Sequence, residues 1–292
     1  MNEKKNKTKQ QKIIQRILTV LIAVLLIAAG WLLFHEYAER RDHQRLQNEL
    51  RELYTEPPSP TPEPEPSITL PAATPTPTVI PETQLPAEPT LPRILPQFDE
   101  LLAINPDVVG WISIPGTAVD YPVLQTEDNV YYLDHDIYGE TSRAGTLFMD
   151  YRMLLDGTDR HQIIYGHHTR DGSMFTSLMD YKDESFFNAN RLIYLDQLFE
   201  KQTWEIFSAY VTSTDFYYIE TRFSGDEDWL AFMEMVQDRS KFNTEVTLSA
   251  DDQMLTLSTC TYEFDDARFV VHARLVRDTQ EDQDARSIRT IE

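Results

Sequence analysis

Residues 17–34, ILTVLIAVLLIAAGWLLF, form an apolar run without a single charge. As a helix of 18 residues it rises about 27 Å, close to the apolar thickness of a bilayer. Polar positions return in residues 35–54, HEYAERRDHQRLQNELRELY, which are rich in good helix formers and mixed charges. This stretch is expected to continue the helix as a charged, solvated stalk. Its apolar positions are too sparse for a coiled-coil assignment.

The pattern changes again at residue 98. FDELLAINPDVV reads as a short helical start. Eight short runs follow: GWISIPG, AVDYPVLQ, AGTLFMD, HQIIYGHH, RLIYLDQ, QTWEIFSAYVTS, QMLTLSTC and RFVVHARLV. Many are rich in Ile, Val, Tyr, Phe and Thr and are separated by Gly, Asp, Asn or Pro, which predicts strands. Residues 226–240 return to helical spacing, with Trp229, Phe232, Met233 and Val236 on one face. Asp226 and Glu227 stand in the first turn of that helix, where the dipole favours them. Eight strands with a few helices predict a mainly β domain, either a barrel or a two-sheet sandwich. No internal repeat is apparent.

Composition sharpens the division into segments. Residues 55–97 hold 14 of the chain's 17 prolines and none of its glycines. Such a segment disfavours helix and sheet and, in polyproline II form, reaches roughly 130 Å. The expected order is a basic tail at 1–16, a membrane helix at 17–34, a stalk at 35–54, a Pro-rich linker at 55–97, one domain at 98–277 and a polar, disordered tail at 278–292. Residues 1–16 carry six basic side chains against one acidic, leaving the remainder with 20 basic and 47 acidic residues. A basic flank before the apolar run predicts a cytoplasmic N-terminus and an external domain. A cleaved signal peptide is the alternative, with Ala28-Ala29-Gly30 as a loose cleavage site, but the apolar run continues to Phe34, past a usual signal core. The acidic remainder excludes nucleic acid as an expected partner, because phosphate contacts require clustered Lys and Arg.

Cys260 is the sole cysteine, so no internal disulfide can form. A lone thiol in an exported domain points to intermolecular pairing or to reactivity, with a buried small apolar residue as the plainer alternative. To act as a nucleophile it must be ionised and reachable. A strand-end imidazole in YGHH, His167 or His168, could serve as its acid and base. Adjacent residues on an extended chain point to opposite faces, so only one of the two should face the site. Metal binding is disfavoured because neighbouring His residues do not readily share an ion and no completing ligand pattern is present. Arg268 opens the last apolar run and could bind an oxyanion or the substrate backbone, or it could be a surface group with a buried stem. If the Cys260 and Arg268 segments are antiparallel neighbours, the two side chains share one sheet end.

In combination, TLSTC followed by Arg, YGHH upstream and the apolar N-terminal run resemble the sortase family of membrane-anchored cysteine transpeptidases. GWISIPGTAVDYPVLQ, YYLDHDIYGETSRAGTLFMD, YGHHTRDGSMF, LSTCTYEF and the helix at 226–240 are similar to class B of that family. The resemblance implies an eight-stranded sortase-type β-barrel with a helix before the last two strands. It implies Cys260 as nucleophile, His167 as general acid and base, and Arg268 as the oxyanion- or substrate-stabilising residue, with Thr259 and Ser258 shaping the site. His168 carries no implied role beyond exposure or packing. Tyr262 departs from members that place an acid two residues after the Cys; Glu263, Asp265 and Asp266 are expected to form a solvated loop. The implied reaction cleaves a C-terminal sorting motif of exported proteins between Thr and Gly and transfers the acyl group to an amine of peptidoglycan or of a pilin. No cofactor is required, and a Gram-positive-type envelope is implied. Two rivals stand beside it: a surface cysteine peptidase that hydrolyses the same bond, and an anchored, non-enzymatic adhesin with Cys260 buried.

Overall fold

A computed structural model of the chain describes residues 2–54, 93–261, 263 and 266–277. The expected Pro-rich linker, apart from residues 93–97, and the expected polar tail lie outside the described residues, as do Tyr262 and Asp265. The chain divides into two compact units, Met1–Glu49 and Leu50–Glu292. The first is a length of one continuous helix, α1 (Asn2–Tyr54), which contains the apolar run. Residues 18–34 of it are all exposed, and the helix is long and apolar enough to cross a membrane.

The second unit is a closed barrel. Its strands are β1 (Val108–Ser113), β2 (Asp120–Leu124), β3 (Leu147–Met149), β4 (His161–Tyr165), β5 (Leu192–Gln197), β6 (Lys201–Ser213), β7 (Met254–Cys260) and β8 (Ala267–Leu275). They close in the order β1-β2-β3-β4-β7-β8-β6-β5. Closure removes free sheet edges, which open sheets must protect by other means. Each strand overlaps one of the eight runs read from the sequence; β1, β6 and β8 begin one or two residues before theirs. Most pairings are antiparallel; β2–β3 and β4–β7 are parallel. The β4–β7 pairing joins segments about ninety residues apart, and everything functional below depends on it.

Two apolar clusters hold the unit together. One fills the barrel, with Ile112, Val123, Leu147, Ile164, Leu195, Leu257, Phe269 and Val271 among its members. The other lies between the outer barrel face and α4 (Asp226–Asp238), where Trp229, Phe232, Met233 and Val236 meet Phe207, Met254 and Val270. All four helix residues are the ones picked out by helical spacing, and burying each contributes about 1.5–3 kcal/mol. Alternation along β8 shows the two-sided burial, since Phe269 and Val271 face inward while Val270 faces α4. The Ser224 amide and hydroxyl both donate to Asp228, which closes the start of α4. Two shorter helical pieces follow β4: a 3₁₀ stretch, Phe175–Lys182, and α3 (Glu184–Ala189), capped by the Asp183 side chain. At the other side of the unit, the Tyr54 ring stacks on Trp111 with centroids 4.3 Å apart, and its hydroxyl donates to Asp196 at 2.5 Å.

Candidate active site

Cys260 is the last residue of β7 and is half-buried. It lies directly across from Arg268 on β8. On its other side β7 runs parallel to β4, with His161 beside Met254, Ile163 beside Thr256 and Tyr165 beside Ser258. The Gly166 amide still donates to the Ser258 carbonyl, at 3.2 Å, so pairing continues past the formal end of β4. Carrying the register two residues beyond Tyr165 sets His167 beside Cys260.

The period of two then decides which side chains share a face. Leu255 and Leu257 fill the barrel interior, whereas Met254 packs toward α4. Ser258 and Cys260 follow Met254 in phase, on the outer face. On β4, Ile164 points inward, so Tyr165 and His167 point outward. On β8, Val270 packs with the outer cluster, and Arg268 is in phase with it. Cys260, His167 and Arg268 therefore emerge on one face at one end of three adjacent strands. Carried past the strand end, the same alternation puts His168 on the opposite side from His167.

Gly166 is required by close packing. A Cβ there would collide with side-chain atoms of Leu147 and Phe175. The strand end thus sits tight against the barrel wall just before the two histidines. Beyond it, the Phe175 amide donates to the His167 carbonyl at 3.0 Å, which folds the following loop back.

The His167 ring is oriented from outside the strand. Its Nε2 lies 2.7 Å from the Leu133 carbonyl, at the end of the helical turn Tyr131–Leu133. A carbonyl only accepts, so Nε2 carries a proton. In the neutral ring Nδ1 is then the basic nitrogen, which is the second-site constraint a general base needs. His168 is half-buried rather than exposed, and its ring hydrogen-bonds to the Cys260 main chain. Burial and the nearby Lys182 hold its pKa below the usual histidine value, with the bond to Cys260 opposing them. It is a neutral prop under the thiol-bearing strand end.

Arg268 donates from one guanidinium nitrogen to the Ala267 carbonyl at 3.1 Å. It and Cys260 both act electrostatically on Tyr218, a buried residue of the β6–α4 connection. Burial raises the Tyr218 pKa, against the hydrogen bond to Ser258 and the charge of Arg268. The Tyr218 and Ser258 hydroxyls are 2.8 Å apart. Ser258 thus packs against Tyr218 two residues before Cys260, whereas Thr259 turns into the barrel and is 2 % exposed. Glu263 pairs with Lys182 at 2.7 Å. Among the described residues, no group of three or more His, Cys, Asp or Glu is arranged to hold a metal ion.

Sequence reading had singled out neither Leu133 nor Tyr218. Leu133 acts through its carbonyl, which every residue has. Tyr218 reaches Ser258 through long-range packing, so no local spacing marks it.

A single thiol at a strand end, with an imidazole on the parallel neighbour and a guanidinium on the antiparallel one, in an eight-stranded barrel, defines a class. The sortase domain family matches residues 112–276, more than half of the chain, and the chain belongs to the sortase family of cysteine transpeptidases. Within that family it belongs to class B. It is 33% identical over 261 residues to sortase B of Listeria monocytogenes, covering 89% of this chain and 95% of that protein. It is 39% identical over 186 residues to sortase B of Staphylococcus aureus, covering 63% and 76%. The crystal structure of sortase B from Bacillus anthracis in complex with AAEK1 superimposes with a TM-score of 0.66 at 36% identity, over 83% of this chain and all of that one. The Staphylococcus aureus sortase B–substrate complex gives 0.60 at 38% identity, over 64% and 88%.

Proposed function

We propose that the chain is anchored by residues 17–34, with its N-terminus in the cytoplasm and the barrel outside. There it cuts a C-terminal sorting motif of exported proteins between Thr and Gly. Cys260 gives its thiol proton to His167 Nδ1 and, as thiolate, attacks the Thr carbonyl carbon; a C–S bond forms as the carbonyl π pair moves to oxygen. Arg268 stabilises that oxyanion or holds the substrate backbone. When the tetrahedral species collapses, the C–N bond breaks and His167 protonates the leaving Gly amine. In the second half, His167 takes a proton from an incoming amine of peptidoglycan or a pilin. That amine attacks the thioester and expels the thiolate. No cofactor takes part in either half.

What supports the assignment of roles above all is the shared outward parity of residues 167, 260 and 268 at one barrel end. The fixed Nε2 proton of His167 fits the role of base through Nδ1. The test is to incubate the full chain, in detergent, with LPxTG-like and NPxTG-like peptides, with and without a nucleophilic amine, and to weigh the products. An amine adduct after Thr, absent with Cys260→Ala, is expected. Cleavage with water alone as acceptor would support the surface peptidase instead. Failure of a thiol-directed probe to label the folded chain would support a buried structural Cys. Sidedness is tested by protease digestion of intact cells, which should remove the barrel and spare the basic tail.

A further inference from the structure

One ion pair, with its carboxylate fully buried and its guanidinium partly so, touches several of the segments around Cys260. Asp150 follows β3 directly, and its side chain is fully buried. Its Oδ2 accepts from three side chains: Asn129 at 3.0 Å, Tyr165 at 2.9 Å and Arg152 at 2.7 Å. Its Oδ1 accepts from the Arg152 Nε at 2.8 Å and from the Arg152 amide at 3.0 Å. Each partner belongs to a different wall. Asn129 stands just before the Tyr131–Leu133 turn, whose carbonyl orients His167. Tyr165 ends β4, two residues before His167. Arg152 reaches on to the Tyr217 hydroxyl and the Ile219 carbonyl, each at 3.1 Å, on either side of Tyr218. Tyr218 in turn meets Ser258, two residues before Cys260.

Such a charge pair seldom adds much net stability, because desolvating the carboxylate, and in part the guanidinium, costs about what their attraction returns. What it does supply is geometry, since a guanidinium fork and a carboxylate accept few alternative arrangements. Burial alone would raise the Asp150 pKa, but its bonds from Arg152 and Tyr165 outweigh that and hold it below the usual range. The carboxylate therefore stays an acceptor for all of its donors.

We propose that Asp150 and Arg152 are a positioning pair for transpeptidation, locking the Leu133 turn, the His167 strand end and the Tyr218 segment into one register around Cys260. The proposal rests on Cys260 and His167 being the reacting groups. Neither Asp150 nor Arg152 need touch substrate. Loss of the pair should therefore spoil the alignment of groups that react rather than substrate capture.

The experiment uses the full chain in detergent, a sorting-motif peptide and an amine acceptor, with active thiols counted by a thiol-directed alkylating probe. Asp150→Asn keeps the shape but replaces one acceptor oxygen with an amide nitrogen that can only donate. Arg152→Lys keeps the charge but loses the fork, and it serves if the Asn variant does not fold. In each, kcat per titrated thiol should fall about tenfold or more while KM changes less than about threefold. The double variant should be no worse than the poorer single one, because both break the same unit. Unchanged kcat per thiol with only a lower melting temperature would overturn the proposal, and so would a rise in KM alone. Cys260→Ala is run beside them. If it keeps activity, the catalytic reading and the positioning pair both fall; if it is dead while Asp150→Asn and Arg152→Lys turn over normally, only the pair falls.

Discussion

Thr256→Val is expected to cost far more than the loss of one hydroxyl usually does. Thr256 is fully buried, and its Oγ1 lies 2.6 Å from His161 Nε2 and 2.8 Å from His272 Nδ1. The far nitrogens are also engaged: His161 Nδ1 lies 2.6 Å from the Glu220 carbonyl, and His272 Nε2 lies 2.9 Å from the Tyr210 hydroxyl. The directions of these bonds follow from the ends. Glu220 can only accept, so His161 Nδ1 bears the proton and Nε2 must accept from Thr256. Thr256 has a single proton to give, so it accepts from His272 Nδ1, and His272 Nε2 accepts from Tyr210. Both rings are neutral, because burial lowers the pKa of each. Valine matches threonine in shape but leaves one imidazole acceptor and one donor stranded in the interior. At about 1–3 kcal/mol for each of the two unsatisfied buried groups, the loss is roughly 2–6 kcal/mol, a large share of an ordinary domain's stability. Urea unfolding of the full chain, followed by fluorescence of the buried Trp204 and Trp229, measures it. The midpoint should drop with the slope unchanged, and Thr256→Ser, which keeps the hydroxyl, should lose only about 1 kcal/mol. If the valine variant is no less stable than the serine one, the directional chain described here is wrong.

The same two histidines predict acid sensitivity. The unfolded chain binds a proton at His161 near pH 6.5, whereas the folded chain refuses it until about 4, so stability should fall as pH drops through that window and be flat above it. His161 alone accounts for on the order of 3 kcal/mol, and a urea midpoint that does not move between about pH 7 and pH 5 would contradict this. Gly166→Ala should destabilise by about 1–3 kcal/mol and depress turnover, since Leu147 or Phe175 must shift next to His167; calorimetry and initial rates together check it. His167→Ala should abolish amine adduct formation, while His168→Ala should retain it at reduced rate with a lower melting temperature; the reverse ranking would mean that the wrong imidazole was chosen. Arg268→Lys should lower kcat by about tenfold or more, because a point charge does not replace a planar fork.

Much of the second unit is legible locally. All eight strands overlap the runs read from the sequence, differing by at most two residues at their starts in β1, β6 and β8, and α4 matches its apolar stripe residue for residue. The 3₁₀ stretch at Phe175–Lys182 and α3 were not singled out, because a helix of one or two turns leaves too few periods to register against neighbouring strands. The choice between barrel and sandwich was not available to pattern either. Periodicity tells which face of a strand is buried, not which distant strand lies beside it.

The sequence by itself determined the apolar N-terminal run, the strand positions to within a residue or two, the position of α4, the lone thiol and, through the TLSTC, YGHH and Arg combination, the family and the three residues to examine. These are local facts, set by spacing of two or 3.6 residues and by side-chain chemistry. Only the tertiary structure decided that β4 runs parallel to β7, which brings the YGHH strand end beside the strand that carries Cys260. It alone brought Leu133, Tyr218, Asp150 and Arg152 around that strand end, and it alone threaded a hydrogen-bond chain from Tyr210 to Glu220. Such contacts join residues tens of positions apart. They exist because closing the barrel satisfies every strand edge at once, a condition imposed by the whole sheet and by no single segment of it.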